Sequence, residues 1–279
     1  MLSTKKDFAV VIRVNHANPN GDPLNGNRPR QGYDNMGEIT DVCIKRKLRN
    51  LLQEAGQDIL IQSDDRRTDD ARSIKERVDK VLGKALNSPK APALACEKWY
   101  DVRAFGALLP FKAKKKTDDE EGEDSASSVS IGIRGPVTVQ SAFSVEPVEI
   151  VSTQITKSTN AEGDGSKRGI DTMGMKHRID HGVYVFFGSM NPQLSEKTGF
   201  SDADADLLFQ VLPKMFENDE SSARPAGSME VLKVVRWNHN CKAGQYSSAK
   251  VHRTLTVNPD GTVALNNLPG LEPEVTEGF

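Results

Sequence analysis

The sequence predicts an α+β fold with the order strand, helix, strand, hairpin, strand, helix, strand. Three observations carry that expectation. Asp7 to Asn15 alternates with period two and puts Phe8, Val10, Ile12 and Val14 on one face. Thr40 to Gln53 carries Ile44, Leu48, Leu51 and Leu52 as a helical stripe. His181 to Met190 reads as a buried strand, and helical spacing returns after Ser201 with Leu207, Leu208, Val211, Leu212, Met215 and Phe216. The 279 residues are 37% hydrophobic and 27% charged, enough for a sizeable core in one large domain or two small ones.

The first strand has a second face that runs from Ala9 and Val11 to Arg13 and Asn15. One face is therefore core, and the other turns polar toward the next loop, as in a sheet with helices behind and a working surface in front. That loop packs Asn18-Pro19, Asn20-Gly21, Asp22-Pro23 and Asn25-Gly26 together. These are turn formers, because Asn and Gly accept positive φ and Pro fixes φ. Arg28 and Arg30 follow, and then a helix with Lys45, Arg46, Lys47 and Arg49. Thr40 is placed to N-cap that helix, with Ile39 stapled onto Ile44. Net charge is −2, so no overall basic excess marks a nucleic-acid binder. Distribution is the stronger signal: turn-rich backbone beside clustered cations suits a phosphate chain. The plainer reading of the same cations is a solvated helix face.

Gly56 to Asp65 is weakly strand-like, and Thr68 to Leu86 reads as a second helix that Pro89 and Pro92 end. Glu97 to Leu108 reads as helical, with Trp99, Tyr100 and Phe105 as core residues rather than a base-stacking platform. Lys112, Lys114, Lys115 and Lys116 then meet six acids between Asp118 and Asp124, a segment with almost nothing to bury that reads as a disordered loop.

Val129 to Ile133 alternates like a strand. Beyond Gly135-Pro136 the alternation continues through Val137, Val139, Phe143 and Val145, with Thr138 and Gln140 on the opposite face. Pro147 to Ile155 is strand-like, and the polar run from Thr156 to Gly169 reads as the tip of a long hairpin whose return carries Lys176 and His177. Ser201 caps the next helix, with Asp202, Asp204 and Asp206 where the dipole favours acids, and Pro213 kinks or ends it. Met229 to Trp237 and Val251 to Val257 read as strands. Asn258 to Gly261 turns into Thr262–Leu265, and a polar tail follows that is expected to fray. This order is the β-α-β-β-α-β ferredoxin-like plan that RNA recognition motifs use, although the aromatic signatures of their base-stacking strands are missing.

Other chemistry finds little support. Cys43, Cys96 and Cys241 form no framework, which fits a reduced cytoplasmic compartment. No apolar run reaches the roughly 18 residues of a membrane span, and the N-terminus lacks the apolar core of a signal peptide. His177 and His181 are four apart but in a strand-like region, and His239 and Cys241 lack partners near them in sequence, so no metal site is expected. No Walker loop, GxGxxG or GxSxG occurs. Asp22, Asp34 and Asp41 are candidates for metal-assisted phosphodiester cleavage, with turn and cap roles as the plainer reading.

NPNGDPLNGNRPR at 18–30, TDVCIKRKLRN at 40–50, DVRAFG at 101–106, GPVTVQ at 135–140 and MGMKH at 173–177 followed by GVY at 182–184 occur in that order. Together they resemble the backbone subunit of type I CRISPR Cascade complexes, the Cas-seven family of the RAMP superfamily, with the type I-C branch nearest. The resemblance covers residues 7 to about 240.

The resemblance implies an α+β right hand. Its RRM-like, ferredoxin-like palm would span 1–55 and 129–265. A helical fingers insertion would span 56–116, a disordered acidic loop 117–128, a β-hairpin thumb 153–174 and a C-terminal tail 266–279. It implies a non-catalytic subunit, without metal or cofactor, that binds CRISPR RNA, lines up with other copies of itself and other Cascade subunits, and presents the guide for pairing with a target DNA strand. A helicase-nuclease recruited to the complex would do the cutting. Carried over residue by residue, the RNA-binding set is Asn18, Asn20, Arg28, Arg30, Lys45, Arg46, Arg49, Thr138, Gln140, Lys157, Lys167, Arg168, Lys176 and His177. Cations and amides read phosphates rather than bases, which suits a protein that must accept any guide. The alternatives are a metal-dependent endoribonuclease of the related type III backbone, using Asp22 or Asp41, and an RNA-recognition module that does not assemble.

Overall fold

The computed structural model describes residues 1–112, 128–156 and 173–279. Lys6–Ala17 form β1, and Phe8, Val10, Ile12 and Val14 enter the main core as their alternation predicts. The loop that follows holds a two-residue ladder of β2 (Gly21–Asp22) and β3 (Arg28–Pro29) around a 3-10 turn. Gly26 and Asn27 there take φ of 57° and 59°, the left-handed region that Gly and Asn tolerate best. β4 (Met36–Ile39) leads into α1 (Asp41–Glu54), and the Thr40 hydroxyl caps α1 by accepting from the Cys43 amide at 3.3 Å.

The insertion after α1 departs from the sequence expectation. Residues 56–65 form no strand, although Ile59 and Leu60 are buried. The helix expected over Thr68–Leu86 shortens to α2 (Ile74–Leu82), because Ser73 caps Glu76 at 3.1 Å while Asp69 is engaged with Arg77. The helix expected over Glu97–Leu108 becomes α3 (Ala91–Lys98), α4 (Tyr100–Phe105) and the start of β5 (Gly106–Lys112). Trp99 is extended at the break, and the Tyr100 amide donates to Asp58 O at 2.9 Å. Pro92 lies in the first turn of α3, where a missing N–H costs nothing. β5 pairs with β6 (Ser128–Arg134), so residues 128–134 sit with the insertion and not in the main sheet. Leu60, Val78, Leu82, Trp99, Val102 and Leu109 form a second core beneath this hairpin. The chain crosses itself where the hairpin ends: a Cβ on Gly135 would lie 2.3 Å from Ala104 O. Residues 117–127 of the expected acidic loop lie outside the described residues.

β7 (Val137–Val139), β8 (Ala142–Pro147) and β9 (Ile150–Thr156) precede β10 (Met173–Met190). The hairpin return and the buried strand, read separately from sequence, are one strand of 18 residues. Its first part pairs with β9, from Met173 opposite Thr156 to Ile179 opposite Ile150, and the rest pairs with β1. Lys157, Lys167 and Arg168, placed at the hairpin tip, lie outside the described residues. α5 (Pro192–Thr198), unforeseen in the sequence, leads to α6 (Asp202–Val211), which Ser201 and Asp204 close with a capping box. α6 ends before Pro213, as expected. After β11 (Met229–Asn238), α7 (Ser248–His252) replaces the start of an expected strand. β12 (Leu255–Val257) and β13 (Val263–Leu265) flank the expected turn. β14 (Pro273–Glu277) pairs with β11, so the tail expected to fray is a sheet edge.

The main sheet is antiparallel, in the order β14-β11-β1-β10-β8-β4, with β7 and β9 also on β10. One face packs against α1 and α6. The other, read as an open working surface, is partly covered. Ala9, Val235 and Trp237 are buried there with Val251, Leu255 and Leu271 of the C-terminal segment. Small, apolar Ala9 leaves room for that cover. Among the described residues no helix is long and apolar enough to cross a membrane.

Candidate nucleic-acid interface

α1 carries four cations, and the fold gives them different tasks. Arg49 is 8% exposed, and its Nε donates to Asp101 Oδ2 at 3.0 Å. Lys47 is buried against Asp219, with its ammonium 5.4 Å from the centre of the Phe216 ring. Burial lowers the Lys47 pKa, and Asp219 opposes that shift. Arg46 donates to Ile61 O at 2.8 Å, and burial lowers its pKa as well. Lys45, paired with Asp41 at 3.0 Å, is the cation of this helix that reaches an open cavity. The i, i+4 edge shared by Lys45 and Arg49 looked solvent-facing in the sequence. The insertion folds over its C-terminal end, which is why Arg49 turns inward while Lys45 does not.

That cavity has a volume of about 540 Å³ and lies between α1, the end of α4, β6 and β7. Lys45, Arg134 and Thr138 supply its polar groups, and Phe105, Val137 and Val139 are among its apolar ones. Two residues far apart in sequence, Lys45 and Thr138, thus share one site. The Thr138 hydroxyl is 2.8 Å from Ser189 Oγ. Gln140 is exposed, and its backbone amide donates to Phe187 O at 2.9 Å.

The turn loop meets the base of the β9–β10 hairpin. Arg28 Nη1 donates to Ser152 Oγ at 3.3 Å, and that hydroxyl lies 2.8 Å from His177 Nδ1. A cavity of about 270 Å³ at this junction is lined by Asn18, Asn27, Met175, Lys176 and His177. Asn18 is 3% exposed, and its Nδ2 donates to Asn27 O at 2.7 Å while its Oδ1 is buried without a partner among the described residues. Asn20 has a scaffolding job, its Oδ1 accepting from both the amide and the hydroxyl of Thr40 at 2.9 Å. Arg30 pairs with Asp22 at 3.4 Å. The structure therefore brings Asn18, Arg28, Lys176 and His177 together, and separately Lys45 and Thr138. It assigns Asn20, Arg46 and Arg49 to internal bonds.

The acids of the ribonuclease alternative have ordinary partners. Asp22 caps Leu24 and pairs with Arg30, and Asp41 pairs with Lys45. Among the described residues no group of three metal-binding side chains converges. His239 donates from Nε2 to Asp7 Oδ2 at 2.9 Å while its Nδ1 accepts from the Gln245 amide. His181 Nδ1 lies 2.7 Å from Asn15 Oδ1. Ser152 and Arg134 were not foreseen in the sequence. Ser152 carried no signal, whereas Arg134 ends an alternating strand just before Gly135-Pro136, the kind of break that places a side chain at a sheet margin.

Residues 4–269 match the family model described as CRISPR-associated protein Cas7. A protein of Haloferax volcanii named CRISPR-associated protein Cas7 is 28% identical over 282 aligned positions, covering 98% of this chain and 81% of the relative. Among solved structures, a chain of a CRISPR RNA-guided surveillance complex in a pre-nicking state superposes with a TM-score of 0.49 at 17% identity, covering 84% of this chain and 76% of its own. A chain of another CRISPR RNA-guided surveillance complex gives a TM-score of 0.44 at 16% identity, with coverages of 93% and 78%.

Proposed function

The chain belongs to the CRISPR-associated Cas7 family, and from that premise we propose that it is a non-catalytic, RNA-binding backbone subunit of a type I surveillance complex, in the I-C branch. It grips CRISPR RNA through phosphates, assembles with further copies along the guide, and presents the guide for pairing with a target DNA strand. Other subunits of the complex and a recruited helicase-nuclease are its partners, and its setting is the cytoplasm.

The observation that carries this reading is the meeting of the turn loop with the base of the β9–β10 hairpin, through Arg28, Ser152 and His177. A cationic loop and a projecting hairpin at one place make a groove for a phosphate chain that is held without reference to base identity. The sheet order β11-β1-β10-β8, with helices after β1 and after β10, supports an RRM-like palm. The second core supports a fingers unit, to which we add β6. The stretch of β10 that pairs with β9 supports a thumb. Asn20 and Arg49 act in this reading by holding α1 in place.

Size-exclusion chromatography with guide-length RNA tests the proposal. Complexes carrying several protein copies per RNA are expected. A single copy per RNA at saturating protein would favour the non-assembling module.

A further inference from the structure

Two cations from different units line the larger cavity. Lys45 comes from α1 and Arg134 from the last residue of β6, and both line the same space beside Thr138. Among the described residues no carboxylate lines it. Arg134 is exposed, and among the described residues its side chain makes no ion pair. Its position is set by backbone, because the Gly106–Gly135 crossing locks the end of β6 against α4. Buried Val137 and Val139, together with Phe105, keep part of the cavity apolar, which strengthens a charge–charge contact made there.

We propose that Lys45, Arg134 and Thr138 form one seat for a single phosphodiester of a bound RNA strand. The inference rests on the proposed RNA-binding function and adds a residue and a geometry to it. Lys45 supplies a point charge, Arg134 supplies a planar fork matched to two phosphate oxygens, and the Thr138 hydroxyl supplies a further donor. The seat also has a mechanical consequence. Lys45 belongs to the main sheet's helical layer and Arg134 to the insertion's hairpin, so a phosphate held by both ties the two units together. Asp41 keeps the Lys45 ammonium in place until the phosphate takes over.

The test measures binding of a short single-stranded oligoribonucleotide across a salt series for wild type, R134A, R134K, K45A and K45A/R134A. R134A is expected to weaken binding roughly tenfold and to flatten the salt slope by less than about 0.7, the share of one phosphate on a single strand, because Lys45 still faces that phosphate, and K45A/R134A is expected to lose the full share. R134K is expected to keep the slope but lose part of the affinity, because a point charge replaces a fork. The double variant is expected to lose less than the product of the single losses, since both residues serve one phosphate. Unchanged binding in R134A with weakened K45A would overturn the seat while leaving RNA binding by α1 intact. Strictly multiplicative losses would overturn the single seat as well. Unchanged binding in both single variants would overturn the seat and also remove α1 from the proposed function.

Discussion

The Arg49 guanidinium and the Asp101 carboxylate meet 3.0 Å apart, with side chains 10% and 1% exposed. Asp101 also accepts from the amides of Leu60 at 2.8 Å and Ile61 at 3.1 Å. One carboxylate thus joins α1 to the start of the insertion. Removing it leaves a buried cation, the buried Leu60 amide and the part-buried Ile61 amide without this partner. D101A is expected to cost about 3–5 kcal/mol in chemical denaturation, and R49A to cost less because Asp101 keeps both amides. Equal losses from the two variants would contradict this arrangement.

Lys45 and Lys47 are two residues apart and should behave oppositely. Lys47 is buried with Asp219 and Phe216, whereas Lys45 reaches the cavity. K47A is expected to lower stability by about 1–3 kcal/mol, a loss moderated because Arg224 still pairs with Asp219 at 2.9 Å. K45A is expected to weaken RNA binding with little change in melting temperature. Swapped phenotypes would mean that α1 turns its Lys47 face, and not its Lys45 face, toward the RNA.

Asp41 separates the binding role from the ribonuclease alternative. Its carboxylate holds Lys45 at 3.0 Å, so it competes with phosphate. D41N is expected to tighten RNA binding by up to about fivefold, the worth of an exposed ion pair. Weaker binding, or loss of an RNA-shortening activity in D41N, would favour the alternative.

Much of the fold was legible because its signals are local. Alternation in Phe8–Val14, the stripe from Ile44 to Leu52, the Thr40 and Ser201 caps and the turn at Asn258–Gly261 all express short-range physics. The errors cluster where distant partners decide. Trp99 breaks a helical pattern because Tyr100 bonds to Asp58 some forty residues away. β14 is polar in sequence and becomes a strand through its pairing with β11. Val251 reads as strand but sits in α7, which Ser247 caps. At the candidate site, residue type singled out the cationic loop and helix. It did not distinguish Arg49, which faces Asp101, from Lys45, which faces the cavity, since both sit on one helical edge.

The C-terminal cover of the sheet carries a pH dependence. His252 stacks on Phe187 with ring centres 4.7 Å apart, and its Nε2 faces Asp7 Oδ1 at 3.6 Å. Burial pushes its pKa below the usual 6.5, with Asp7 opposing the shift. The folded state therefore favours neutral imidazole. The unfolded chain takes up the proton first as pH falls, so the contribution is intact above pH 6.5 and is lost as pH falls toward the depressed folded value. Between about pH 7 and about pH 5.5, the wild type is expected to lose more thermal stability than H252Q. Parallel losses would contradict the assignment.

Native mass spectrometry of the protein purified from cells that co-express a CRISPR array tests the central claim most directly. Masses that combine one RNA with several copies of this chain are expected. Protein that carries RNA at one copy per molecule, or RNA shortened at regular intervals in a manner abolished by D22N or D41N, would contradict the claim.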